Sequence, residues 1–258
     1  MLSSLEIILA IATIIGLASC ASSPHSTLPS RNISSATEEI VGIFGDVHED
    51  LATQKRVLQQ MRERGVTHTI ALGDFVQYSG LEMLGQALQM ITPITGVTKE
   101  RIFLAPGNWE HTQNNREAVN TVMSNFGNLV TPDYDSSGEF SIGAIKMRAG
   151  HFPQHRLPTQ LLPPQEYQNS IPGQITIMET MPREHFPANG VVLDVFGHTH
   201  VGGIYFEHSK SLWVLNPGDV ERKRKSPGEP QAYVIFYPRR GQLNFIDADA
   251  NVSLLDVD

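Results

Sequence analysis

The sequence predicts an α/β fold in which helices layer on a largely parallel sheet and a second sheet packs against the first. Three observations predict it. Short apolar runs alternate with helix-length amphipathic segments between residues 40 and 126. The apolar runs end in a glycine followed at once by a side chain of metal-ligand type, where the carboxyl end of a strand would deliver it. Beyond Phe126 the helical period gives way to closely spaced strand-like segments.

The elements follow in order. The folded region begins at Glu39, and residues 40–44 form a short buried strand ended by Gly45-Asp46-Val47-His48. Asp50 is placed to cap a helix from Leu51, whose apolar positions Leu51, Val57, Leu58 and Met61 share a face; Gly65 stops it. Residues 67–72 are the next strand, ending in Gly73-Asp74. Leu81, Leu84, Leu88 and Ile91 mark a second amphipathic helix. Residues 101–104 are the third strand, ending at Pro106-Gly107-Asn108, and a third helix over 116–126 buries Val119, Val122 and Met123 before Gly127. Residues 140–148 form a pair of short strands or one bent strand that delivers His151. The stretch 152–189 lacks a clean period, although 174–180 could be a strand or a short helix. Strands at 191–196, 203–207, 212–215, 232–237 and 242–246 then read as a second sheet.

Composition bounds the function. The chain has 258 residues and 40% hydrophobic content, enough for one ordinary domain with appendages. A net charge of −8 gives no basic field for nucleic acid, so attraction for a phosphate would have to come from bound metal or a local basic patch. The single cysteine, Cys20, excludes an intramolecular disulfide and a thiolate metal cage.

Residues 1–20 read as a targeting segment. The run 7–17 is almost wholly apolar and has the length of a signal core rather than a membrane span. Leu17-Ala18-Ser19-Cys20 resembles a bacterial lipoprotein box, which implies lipidation of Cys20 and a membrane anchor at the mature N-terminus. Ala21 after the cysteine implies, by the same resemblance, the periplasmic side of an outer membrane. The first residues depart from the pattern, with Glu6 as the only charged side chain. A short uncleaved anchor with an incidental cysteine is the alternative. Residues 21–38, rich in Ser, Thr and Pro, read as a tether, leaving 39–258 as the folded domain.

The centre of the pattern is Gly197-His198-Thr199-His200, two imidazoles with one residue between them just off a buried strand. Such a pair is weak alone. Its weight comes from Asp46, His48, Asp74, Asn108 and His151 at earlier strand ends. The ordered set Gly45-Asp46-Val47-His48, Gly73-Asp74, Gly107-Asn108, Gly150-His151, Gly197-His198-Thr199-His200 and Asn216-Pro217-Gly218 resembles the calcineurin-like metallophosphoesterase superfamily. The last motif and the compact length resemble its small bacterial phosphodiesterase branch. The resemblance implies an α/β/β/α sandwich with a dinuclear metal site at the carboxyl ends of the strands. It also implies that Asp46, His48 and His200 hold one metal, that Asn108, His151 and His198 hold the other, and that Asp74 bridges them. Asp74 and Asn108 double as the candidate catalytic residues.

Carboxylate and imidazole donors suit divalent Mn, Fe, Zn, Co or Ni. Two such ions about 3.5–4 Å apart can share a bridging hydroxide and clamp both oxygens of a phosphoryl transfer. The expected function is therefore phosphoester hydrolysis, phosphodiester more than phosphomonoester, on a small-molecule substrate outside the cytoplasm. One residue departs from the family: Trp109 stands where a histidine usually follows the Asn, and its side chain offers no acid. His111 could substitute or could be a solvated turn residue, and Trp109 could wall the site or simply pack over its rim. That departure keeps a non-catalytic binding module on the same fold as the alternative. Glu221-Arg222-Lys223-Arg224-Lys225 could bind phosphate or anionic lipid, or be a solvated loop. Asp194 is expected to bond locally, and His25, His68, His155, His185 and His208 to be structural or solvent-facing. Oligomeric state has no marker in the sequence.

Overall fold

A computed structural model describes residues 38–154, 175–180, 190–207, 210–221 and 232–248. The 1–20 segment with Cys20, residues 21–37 of the tether, most of 152–189, residues 222–225 of the basic run, and His25, His155, His185 and His208 lie outside the described residues.

Four strands, β1 (Val41–Phe44), β2 (His68–Ala71), β3 (Ile102–Leu104) and β4 (Asn128–Leu129), run parallel in the order β4-β3-β2-β1. Beside them lie the helices α1 (Leu51–Glu63), α2 (Leu81–Gln89), α3 (Ile91–Thr95) and α5 (Arg116–Phe126), whose buried faces join Phe44, Ala71 and Leu104 in one core. Asp50 caps α1 as expected: its Oδ1 accepts the Thr53 N–H at 3.0 Å, a contact of about 1 kcal/mol. The single helix expected over Leu81 to Ile91 is two. Pro93 has no N–H for the Gln89 carbonyl and its ring would strike that turn, so the helix ends at Gln89 and restarts at Ile91.

The second sheet orders β5 (Ser137–Ile142), β6 (Ile145–Gly150), β8 (Leu193–Val195), β10 (Leu212–Asn216) and β9 (Gly203–Glu207). The segment 140–148 is therefore a hairpin, β5–β6, that belongs to this sheet. The last two strands do not. β11 (Ala232–Tyr237) pairs antiparallel with β1, and β12 (Gln242–Asp247) joins β11 to β7 (Ile175–Thr180), extending the first sheet to seven strands. The reason is written in β11 itself. Its run is apolar on both faces: Tyr233 and Ile235 pack with the helices, while Val234 and Phe236 pack toward the second sheet. A strand buried on both sides belongs in the middle of a layered sheet.

The inter-sheet core joins Val41, Ile43, Ile70 and Leu72 of the first sheet to Met147, Ala149, Leu193, Val195 and Leu215 of the second. The two-sheet sandwich expected from sequence is the fold. Among the described residues no helix is long and apolar enough to cross a membrane. Asp194 is buried and paired with Arg148 at 3.2 Å, the local role expected of it.

Candidate metal centre

Because β1, β2 and β3 are parallel neighbours, their carboxyl ends open on one edge; β6, β8 and β10 are likewise mutually parallel. The turns leaving these two sets meet. The Asp46 N–H donates to the Gly73 carbonyl at 3.0 Å, and the His48 N–H to the Asp74 carbonyl at 2.8 Å. Across the sheets, the His198 N–H donates to Asp46 Oδ2 at 3.0 Å and His151 Nδ1 to the Leu72 carbonyl at 2.6 Å. Gly197 makes this approach possible, since a Cβ there would lie 2.8 Å from Asp46 Oδ2.

The backbone at the site is unusual. Asp46, His48, Asp74, His198 and His200 all have φ between 45° and 67°, the left-handed region that ordinary side chains avoid. Strain of this kind persists only where surrounding contacts over-determine it, and it concentrates at functional sites.

The structure brings all seven candidate ligands together. Asp46, His48 and His200 form one group with donor atoms within 4.8 Å of one another, and Asp74, His151 and His198 form a second. Asn108 Oδ1 joins the second, 3.1 Å from His151 Nε2 and 3.1 Å from His198 Nδ1. Asp74 faces both groups: its Oδ2 lies 3.2 Å from His151 Nε2 and 3.9 Å from His48 Nε2. The His48 and His200 rings stack at 5.0 Å.

Burial sets the electrostatics. Asp46 is fully buried, which pushes its pKa up to about 7. Burial acts downward on His151, but the adjacent Asp74 and Asp46 carboxylates outweigh it and raise His151 to about 9. Asp74 is held below its ordinary value, burial being outweighed by His151. His198 is lowered by burial and by the His151 charge. Burial also opposes the His200 charge, and Asp219 overcomes it and raises the pKa. Two buried carboxylates among four imidazoles form a donor set without thiolate, suited to divalent cations whose charge offsets the cost of burial.

Three supporting residues escaped the sequence reading. His200 Nδ1 bonds Asp219 Oδ2 at 2.9 Å, leaving Nε2 facing Asp46; an outer carboxylate of this kind fixes the tautomer of a ligating imidazole. Glu110, buried on a short helix, α4 (Asn108–Gln113), accepts four backbone N–H groups: Asp74 and Gly107 on Oε2, Phe75 and Val76 on Oε1. Burial and the Asp74 charge push Glu110 up to about 7, while its amide donors favour the ionised form that the acceptor-only geometry displays. Glu49 Oε1 accepts the next three amides, Gln77, Tyr78 and Ser79, at 3.0, 2.7 and 2.7 Å. Two carboxylates thus hold six consecutive amides of the loop after β2. The signal for Glu110 was present as the glutamate half of a capping box, three residues after the helix N-cap Gly107.

Trp109 donates its backbone N–H to Asp74 Oδ1 at 3.0 Å, and its ring meets that of Tyr78 edge-on at 5.6 Å. His111 packs against Tyr134 instead, and burial lowers its pKa. Asn216 ties the second sheet to the histidine loop, donating to the Gly197 carbonyl and Thr199 Oγ1 at 2.8 Å each. Glu221, the described member of the basic run, is buried, and its N–H donates to the Asp46 carbonyl.

A mixed α/β sandwich with two adjoining Asp/His groups at its strand ends is the architecture of a dinuclear metalloprotein. The sequence model of the calcineurin-like phosphoesterases matches residues 40–202, more than half of the chain, and the chain belongs to that family. It is a metal-dependent phosphoesterase of a kind that uses two divalent ions. Among solved structures it is similar to a novel archaeal phosphodiesterase at 15% identity, with 81% of this chain and 99% of that one covered and a TM-score of 0.52. A metallophosphoesterase from Sphaerobacter thermophilus is similar at 17% identity, with coverage of 85% and 91% and a TM-score of 0.46. No curated protein is significantly similar to the chain.

Proposed function

We propose that the protein is a phosphodiesterase acting on a small phosphate ester outside the cytoplasm, anchored through a lipidated Cys20. Asp74 carries the reading: one carboxylate oxygen faces a histidine of each group, the position a bridging ligand needs. Asp46, His48 and His200 hold one ion in this scheme, and Asn108, His151 and His198 the other. Bound there, two divalent ions, manganese among the candidates, supply Lewis acidity and lower the pKa of water at the site.

The chain's own groups do the rest. His151 Nδ1–H donates to the Leu72 carbonyl, which leaves the Nε2 lone pair as the ligand atom beside Asp74. The Trp109 amide fixes Asp74 Oδ1, so that Oδ2 alone is turned inward.

The test is turnover of bis-p-nitrophenyl phosphate against p-nitrophenyl phosphate with each divalent metal. The expected result is faster diester hydrolysis, lost in Asp74→Asn and His198→Ala. Two ions bound without turnover of any ester would select the second reading, a binding module, which Trp109 keeps in view. Unchanged mass and membrane fractionation in Cys20→Ser would remove the lipid anchor.

A further inference from the structure

Among the described residues two large hydrophobic side chains are exposed, Tyr78 and Val201, and both adjoin the metal centre. Val201 follows His200 directly. Tyr78 is 73% exposed, and its ring meets Trp109, the residue after Asn108. Scattered exposed apolar groups are ordinary on a protein surface; their concentration beside one site is not.

Neither ring is loosely placed. The Tyr78 N–H is one of the three amides that Glu49 holds, and the Trp109 N–H is bonded to Asp74. Both side chains therefore project from backbone fixed to the loop that carries the central carboxylate. The Trp109 backbone N–H lies 3.0 Å from Oδ1 of that carboxylate. The Tyr78 ring touches Trp109 edge-to-face and remains largely open to solvent. A charged centre with a preorganised aromatic edge matches a ligand that joins a phosphate to a planar group.

We propose that Tyr78 and Trp109 form an aromatic clamp that stacks on a planar substituent of the phosphodiester, a nucleobase or a simple aryl group. The proposal rests on the phosphodiesterase reading and specifies its substrate class.

Phosphate monoesters that carry the same phosphate group but differ in the planar group serve as product-like probes of the clamp. Adenosine 5′-monophosphate, phenyl phosphate and ribose 5-phosphate are titrated by calorimetry into the full chain loaded with Mn. The clamp predicts that at least one aromatic phosphate binds about tenfold tighter than ribose 5-phosphate, as stacking on an aromatic side chain supplies. Which aromatic phosphate binds tighter identifies the natural planar group. The preference disappears in Tyr78→Ala and persists in Tyr78→Phe, and because Tyr78 is exposed the variants keep the wild-type melting temperature. Equal affinities in wild type, with ester turnover intact, overturn the clamp alone. A preference that survives both Tyr78→Ala and Trp109→Leu overturns it too, as does a change in oligomeric mass in Tyr78→Ala with ligand preference unchanged. No turnover of any ester and no binding of any phosphate would overturn the phosphodiesterase reading and the clamp with it.

Discussion

Glu110 holds Asp74 by its backbone: Oε2 accepts the Asp74 N–H at 2.9 Å across 36 positions of sequence, and the same oxygen takes the Gly107 N–H at 2.6 Å. One buried carboxylate thereby fixes the turn after β2 against the turn after β3. Asp74 and Asn108 owe their relative position to it.

Glu110→Gln keeps the size of the side chain but turns one oxygen into a donor facing two backbone N–H groups. Each buried donor left unpaired costs about 1–3 kcal/mol. The variant is expected to lose roughly 2–4 kcal/mol of stability in urea denaturation and to bind less metal per chain. A wild-type denaturation midpoint would show that the two bonds to the replaced oxygen carry no net energy.

Asp219 acts on His200 through a single bond. Asp219→Ala is expected to weaken divalent-ion binding by about 10–100-fold, measured by competition with a chromogenic chelator. Asp219→Asn keeps an oxygen acceptor for His200 Nδ1 and should lose less. Equal affinity in the alanine variant would leave His200 oriented by something else.

Acid tests the other carboxylate. Burial pulls Glu49 upward, but its three amide partners outweigh burial and bring it from 4.5 to about 2. A depressed folded pKa gives stability that is complete above the unfolded value and lost as pH falls toward the folded one. Wild type should therefore lose stability between about pH 5 and pH 2 that Glu49→Gln never had. Denaturation of both proteins without metal, across that window, reads the difference; parallel curves would refute it.

Trp109 sets the leaving-group dependence. With no acid at this position, a basic alkoxide must depart with little protonation, so kcat should fall steeply as leaving-group pKa rises. Trp109→His should raise the slowest reactions most. A general acid worth about 10²–10⁴ in rate lowers the barrier by roughly 3–5 kcal/mol. Equal slopes of log kcat against leaving-group pKa in the two proteins would sink this account.

The strand ends were legible because each couples an apolar run to a glycine and a ligand-type side chain, two independent signals in a few residues. The two-sheet division was only partly legible. β11 reads as one more strand, and its double-sided apolar pattern names its sheet only once the helices have been placed against Tyr233 and Ile235. α4 is six residues long and carries no apolar period, so its capping-box glutamate was the one local sign of it. Glu49, Glu110 and Asp219 were missed for two physical reasons. Glu49 and Glu110 bind backbone amides, which no residue type marks, and Asp219 supports a histidine 19 positions away.

Both candidate metal groups are completed by the same short loop: His200 closes the one with Asp46 and His48, and His198 the one with Asp74 and His151. A ribosome makes the other five ligand residues, Asn108 among them, before it reaches either of these histidines. Both positions therefore depend on one segment, and displacing residues 197–200 would open the two groups together.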